Sequence, residues 1–239
     1  MLNPDFPFPT EFFPTTTANL LFYLSVPLCF GGWFMAYTLL VRWGFKEKTF
    51  GMPIIGLCGN IGWEITFSQL LYPGYLAMYI GKTMWAVFDV FIFITIWKYA
   101  ANDFQNPLIK RWVRPFTVLG VVIAVMLLAP FGLYYNDQLG YFTGWALGFL
   151  NSLMMISMLF RRNSIKGQSI YIGLSIMVGN IAAYIWTAYY PVAPGQPPII
   201  PPVINLVFFL ATVPFNILYV ILFYQQARKE KVNPWKRFW

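Results

Sequence analysis

Two carboxyl side chains interrupt long apolar stretches of this 239-residue chain, Glu64 in GNIGWEITFSQL and Asp89 in WAVFD. An ionisable group at the centre of a bilayer costs about 3 kcal/mol or more, so such groups face a bundle interior and act there. A carboxyl sealed from water favours its protonated form and can serve as a proton donor. Aromatic faces attract a cation by about 0.5–2 kcal/mol each, and a dry cavity keeps water from quenching one. Acid, aromatic walls and the exclusion of water together suit a carbocation raised on a greasy substrate such as a polyprenyl epoxide. The bland alternative is that both acids are hydrogen-bonded helix-packing contacts of modest energy.

The spacing around the acids predicts which residues share their cavity. Asn60, Glu64, Phe67, Ser68 and Leu71 fall on one side of a helix by three- and four-residue steps. Trp85 and Asp89 are one turn apart on the next helix, with Trp63 beside Glu64. Asn151 and Ser152 lie in the middle of a later apolar run, Asn180 and Tyr184 share a face with Thr187 beyond, and Asn205, Thr212 and Asn216 share another. The expected site is a polar and aromatic cavity holding Glu64 and Asp89 as acids. Its expected substrate-binding residues are Asn60, Trp63, Phe67, Ser68, Trp85, Asn151, Asn180, Tyr184 and Asn216. Trp33, Trp43, Trp112, Trp235 and Trp239 are expected at membrane–water interfaces or facing lipid.

The elements that position these residues follow from composition. The chain is 59% hydrophobic and 10% charged, with mean hydropathy +0.60. A soluble domain carries roughly 25% charged residues, so the bilayer is its solvent. Seven apolar runs are each long enough to span as a helix: 17–40, 52–72, 83–101, 115–135, 141–160, 169–190 and 203–224. All sixteen basic residues except Lys82 fall on one side of that threading. Basic loops favour the cytosol, which predicts an all-α, seven-transmembrane-helix bundle with the N-terminus lumenal or outside and the C-terminus cytosolic. Residues 1–239 read as a single transmembrane domain. At those spans Glu64 lies ~12 Å and Asp89 ~9 Å below the lumenal end, so the two can meet. The first span is expected to act as its own insertion signal, since no cleavable leader is evident.

Composition also excludes. The net charge of +8 sits in short loops and does not make a nucleic-acid surface. Histidine is absent, and Cys29 and Cys58 both lie in apolar runs. No metal site, disulfide or cofactor is expected. Two proline-rich segments flank the bundle. MLNPDFPFPTEFFP can lie in the lumenal interface, and PVAPGQPPIIPPV (191–203) reads as a stiff connector or a rim over the cavity. A faint echo links GNIGWEI (59–65) with GNIAAYI (179–185).

GNIGWE on one span followed by WAVFD on the next resembles the membrane-bound terpene cyclases of fungal meroterpenoid and indole-diterpene pathways, which carry an N-x-x-W-E motif and then W-x-x-x-D. The stretch GWALGFLNSLMMISMLFRRNSIKGQS (144–169) is similar to that family as well. The resemblance implies metal-free cyclisation of a prenylated substrate, usually a terminal epoxide, in the endoplasmic reticulum. It implies that Glu64 is the proton donor or its activator. The family's last-span aspartate is missing here; its nearest polar counterpart is Asn216 in PFNILYV, which has no carboxyl proton to give. Either Asp89 takes that partnership or the outcome of ring formation differs. The orientation by itself also suits a bacterial inner membrane. The same physics would serve a sterol or isoprenoid isomerase, and seven helices would serve a transporter or receptor for a lipophilic small molecule.

Overall fold

The computed structural model describes residues 16–71, 76–137, 139–189 and 200–239. The segment 1–14 and most of 191–203 lie outside them. Seven long helices follow one another: α1 (Thr16–Lys46), α2 (Ile54–Glu64), α3 (Leu76–Asp103), α4 (Pro107–Tyr134), α5 (Tyr141–Arg162), α6 (Ile170–Tyr189) and α7 (Pro202–Lys229). Among the described residues five of them, α1, α3, α4, α5 and α7, are long and apolar enough to cross a membrane, and α6 is a shorter apolar helix. No strand is present among the described residues.

The helices outrun the expected spans at several ends. Helix α4 begins at Pro107 rather than 115, because Asn106 caps it by accepting from the Leu108 N–H at 2.9 Å and proline is tolerated in the first turn. Helix α3 begins at Leu76 rather than 83, which turns Lys82 from a loop cation into a helical residue.

Helix α2 does not run on regularly to residue 72. After Glu64 it widens into a π-helical turn, Ile65–Leu70, closed by the Leu71 N–H donating to the Thr66 carbonyl at 2.7 Å. Such a turn holds an extra residue per repeat, which lets Thr66, Phe67 and Ser68 all be buried in succession.

Helices α1 and α6 pack closely. A Cβ on Gly32 would stand 2.7 Å from the Gly179 backbone nitrogen, so the two backbones touch. Small residues permit this approach, and membrane helices gain dispersion contacts from it.

The loops α1–α2, α3–α4 and α5–α6 and the C-terminal tail gather at one end of the bundle, which is therefore its basic end. Arg162 pairs with Asp103 at 2.5 Å, donates to the Phe50 carbonyl at 2.6 Å and lies 4.1 Å over the Phe50 ring. Arg237, from the tail, pairs with Glu47 at 2.9 Å, donates to the Gln168 carbonyl at 2.8 Å and covers the Trp43 ring at 4.1 Å. Trp43 is thus buried under the tail instead of facing lipid. The main apolar core lies toward this end, and a second, aromatic cluster around Tyr141, Trp145 and Tyr184 lies toward the other.

Candidate active site

The aromatic end of the bundle encloses a cavity of about 120 Å³. Seven of the eleven expected site residues line it: Asn60, Trp63, Glu64, Trp85, Asn151, Asn180 and Tyr184. Four do not. Asp89 is buried directly behind Glu64, with the two carboxyls within hydrogen-bond reach of each other. Phe67 packs against Trp63 at 5.5 Å between ring centroids. The Ser68 hydroxyl turns back onto the Glu64 carbonyl, and Asn216 accepts from the Asn180 amide.

Glu64 and Asp89 are 2% and 0% exposed. Among the described residues no donor reaches Glu64 Oε2 or either Asp89 oxygen. Of the two carboxyls, Glu64 lines the void and Asp89 does not. Tyr37 of α1 completes this corner, its hydroxyl accepting from Asn60 at 2.7 Å.

A hydrogen-bonded belt crosses the bundle beneath the cavity. Asn151 donates to Asn60 at 2.8 Å, and the adjacent Ser152 hydroxyl accepts from Asn216 at 2.8 Å. Asn216 in turn accepts from Asn180 at 3.1 Å and donates to the Thr212 carbonyl. The two asparagines of the GNI echo, Asn60 and Asn180, therefore stand at opposite ends of one polar floor. Buried amides favour partners; all four donate within or beside this belt, while Asn151 Oδ1 meets no donor among the described residues.

The aromatic walls are fixed at their polar ends. Trp63 donates to the Gly140 carbonyl at 3.0 Å and the Thr143 hydroxyl at 3.1 Å. Tyr184 donates to Thr212 at 2.7 Å and meets Trp145 edge-on at 5.0 Å. Trp85 stacks on Phe30 at 4.8 Å. Space for the cavity comes from α5, where Gly144 and Gly148 present no side chain; a Cβ on Gly144 would stand 3.3 Å from the Trp63 ring.

Sequence reasoning missed several lining residues. Trp33 lines the cavity with Cys29 and Tyr37 and does not face lipid. The signal was present, since positions 29, 33 and 37 form a stripe at four-residue steps. The larger omission is Lys82. It is 2% exposed, lines the cavity, and stands 5.0 Å from the Trp63 ring centroid. Its ammonium donates to the Leu139 carbonyl at 2.7 Å and the Phe67 carbonyl at 3.3 Å. Nearby Asp137, in the α4–α5 loop, accepts from the Phe142 and Thr143 N–H groups and the Thr143 hydroxyl at the start of α5. Burial raises the Asp137 carboxyl above its ordinary range, against those hydrogen bonds, which lower it.

Comparison with known proteins agrees with this architecture. A family model of Pyr4-like transmembrane terpene cyclases matches residues 9–229. The Pyr4-family terpene cyclase mfmH of Annulohypoxylon moriforme is 27% identical over 229 residues, 88% of this chain and 90% of that protein. Asnovolin H synthase nvfL of Aspergillus novofumigatus is 28% identical over 215 residues, 86% of each chain. Terpene cyclase pyr4 of Aspergillus fumigatus is 30% identical over 155 residues, 62% of this chain and 63% of that one. No solved structure matches. Spanning helices, a buried acid in a cavity walled by aromatic rings, and a family match over nearly the whole sequence converge: the chain belongs to the Pyr4-like transmembrane terpene cyclases.

Proposed function

We propose that this cyclase works without a metal, by transferring a proton from Glu64 to the terminal epoxide of a prenylated substrate. The proton goes to the epoxide oxygen as its carbon–oxygen bond breaks, leaving a hydroxyl and a carbocation. Neighbouring alkene π pairs form the new carbon–carbon bonds and carry the cation along the chain. Loss of one C–H proton then ends the sequence, so the product is an isomer of the substrate. Asp89 holds Glu64 in place and shares its proton; Trp63, Trp85 and Tyr184 shield the cation. Asn60, Asn151, Asn180 and Asn216 hold the floor beneath the folded prenyl chain. Phe67 and Ser68 set the position of Trp63 and of the Glu64 backbone.

The observation that carries this reading is Glu64 in the cavity wall with Asp89 sealed behind it. Microsomes carrying Glu64→Gln, supplied with a prenyl epoxide, should form no ring; undiminished cyclisation would remove Glu64 from the mechanism.

The same proposal places the chain in the endoplasmic reticulum membrane with seven crossings, the N-terminus lumenal and the basic end cytosolic. The gathering of the basic loops and tail at one end supports that threading. Glycosylation acceptors inserted in the α1–α2 and α4–α5 loops test it, since only the second should be modified.

A further inference from the structure

A buried ammonium is out of place in a cavity built to hold a cation. Lys82 nevertheless lines the same void as Glu64, where its positive charge opposes a carbocation brought close to it. Its position separates the two charges. Lys82, Trp85 and Asp89 lie on one face of α3, and seven residues put Lys82 ~10 Å along the axis from Asp89. Trp85 stands between them. The cavity therefore has an acidic pole at Glu64 and a cationic pole at Lys82, with aromatic surface between.

Among the described residues two acceptors meet the Lys82 ammonium. An ammonium has three N–H donors and no acceptor. Two of them serve the Leu139 and Phe67 carbonyls. The described residues hold ion pairs at Arg162–Asp103 and Arg237–Glu47, and Lys82 is in neither. Asp137, the acid that acts on it through space, is committed to the start of α5. A buried charged donor with a hydrogen to spare favours an acceptor that completes its set.

We propose that Lys82 binds the non-prenyl end of the substrate, taking an ionised or strongly polarised oxygen such as an enolate, phenolate or carboxylate. This rests on the cyclase reading above, and adds what that reading leaves open: which end of the substrate lies where, and what chemistry its head carries. The head sits at Lys82, the prenyl chain folds over Trp85 and Trp63, and the epoxide reaches Glu64. Anchoring the head at one pole fixes how much of the chain can fold before its terminus meets the acid. A charged contact at the head also pairs the lysine, so that its field on the cation is reduced.

The test uses the full chain in microsomes and two probes, a phenol bearing a prenyl epoxide and its O-methyl ether. Wild type should show a KM about 10- to 100-fold lower for the phenol, the loss expected for one charged hydrogen bond. Lys82→Met should erase that difference, and Lys82→Arg should keep most of it. A purely structural Lys82 would lower the yield of folded protein and slow both probes alike. Equal KM values for the two probes in wild type overturn the proposal even if Lys82→Met fails to fold, and so does a folded Lys82→Met that still discriminates. If wild type cyclises neither probe, the cyclase reading falls first and this one with it; cyclisation of both without discrimination removes the Lys82 assignment alone.

Discussion

The Asp89 carboxyl is wholly buried behind that of Glu64, and no donor among the described residues reaches either of its oxygens. In the proposed mechanism the two therefore act as a single acid. Asp89→Asn keeps the shape but replaces one acceptor oxygen with an N–H donor. General acid catalysis contributes typically 10²–10⁴-fold, and Asp89→Asn should lose roughly the lower part of that range. The double variant with Glu64→Gln should be no worse than Glu64→Gln alone, because residues acting as a unit do not add. Product formation followed by mass spectrometry reads both.

Asn216 stands where the family's last-span aspartate would be expected, and here it is a strut. Its amide donates to Ser152 and to the Thr212 carbonyl. Asn216→Asp would turn an oxygen onto that carbonyl and strand two acceptors. The expected result is a loss of about 1–3 kcal/mol of stability and no gain in cyclisation. Thermal unfolding in detergent measures the first, and product yield the second.

Gly140 has φ +71°, and a Cβ there would lie 2.8 Å from Trp63 Nε1 and 2.7 Å from the Phe67 ring. Gly140→Ala should cost about 1–2 kcal/mol for the left-handed backbone alone. It should also push Trp63 off its hydrogen bonds, so activity falls further than melting temperature predicts. Gly31→Ala is the control, since its Cβ would meet nothing within 4 Å.

The tail is expected to matter for stability and not for chemistry. Arg237→Ala leaves Glu47 facing a gap and uncovers Trp43. Breaking a largely buried pair costs about 3 kcal/mol or more. The melting temperature should fall while the product of the surviving enzyme stays the same.

Particular residues show how far the sequence could be read. The meeting of Glu64 and Asp89 followed from two depths counted along antiparallel helices, and the polar floor followed from asparagines at three- and four-residue steps. What a periodic count cannot give is how far an interior reaches. Lys82 reads as a loop residue because a charge ends an apolar run, whereas α3 starts six residues earlier and Lys82 lines the cavity. Trp33 reads as an interfacial or lipid-facing residue because tryptophan favours interfaces, yet α6 offers it Gly179 to lie against. The π-helical turn after Glu64 has no sequence period of its own, and it brings Thr66, Phe67 and Ser68 all inward.

The pairing of Glu47 with Arg237 joins residues 190 positions apart. Arg237 follows α7, which ends at Lys229, so every helix has been synthesised before it is. Threading of the helices into the bilayer and fastening of the basic end are therefore successive events. A bulky insertion between Lys229 and Arg237 would leave the first intact and interfere with the second.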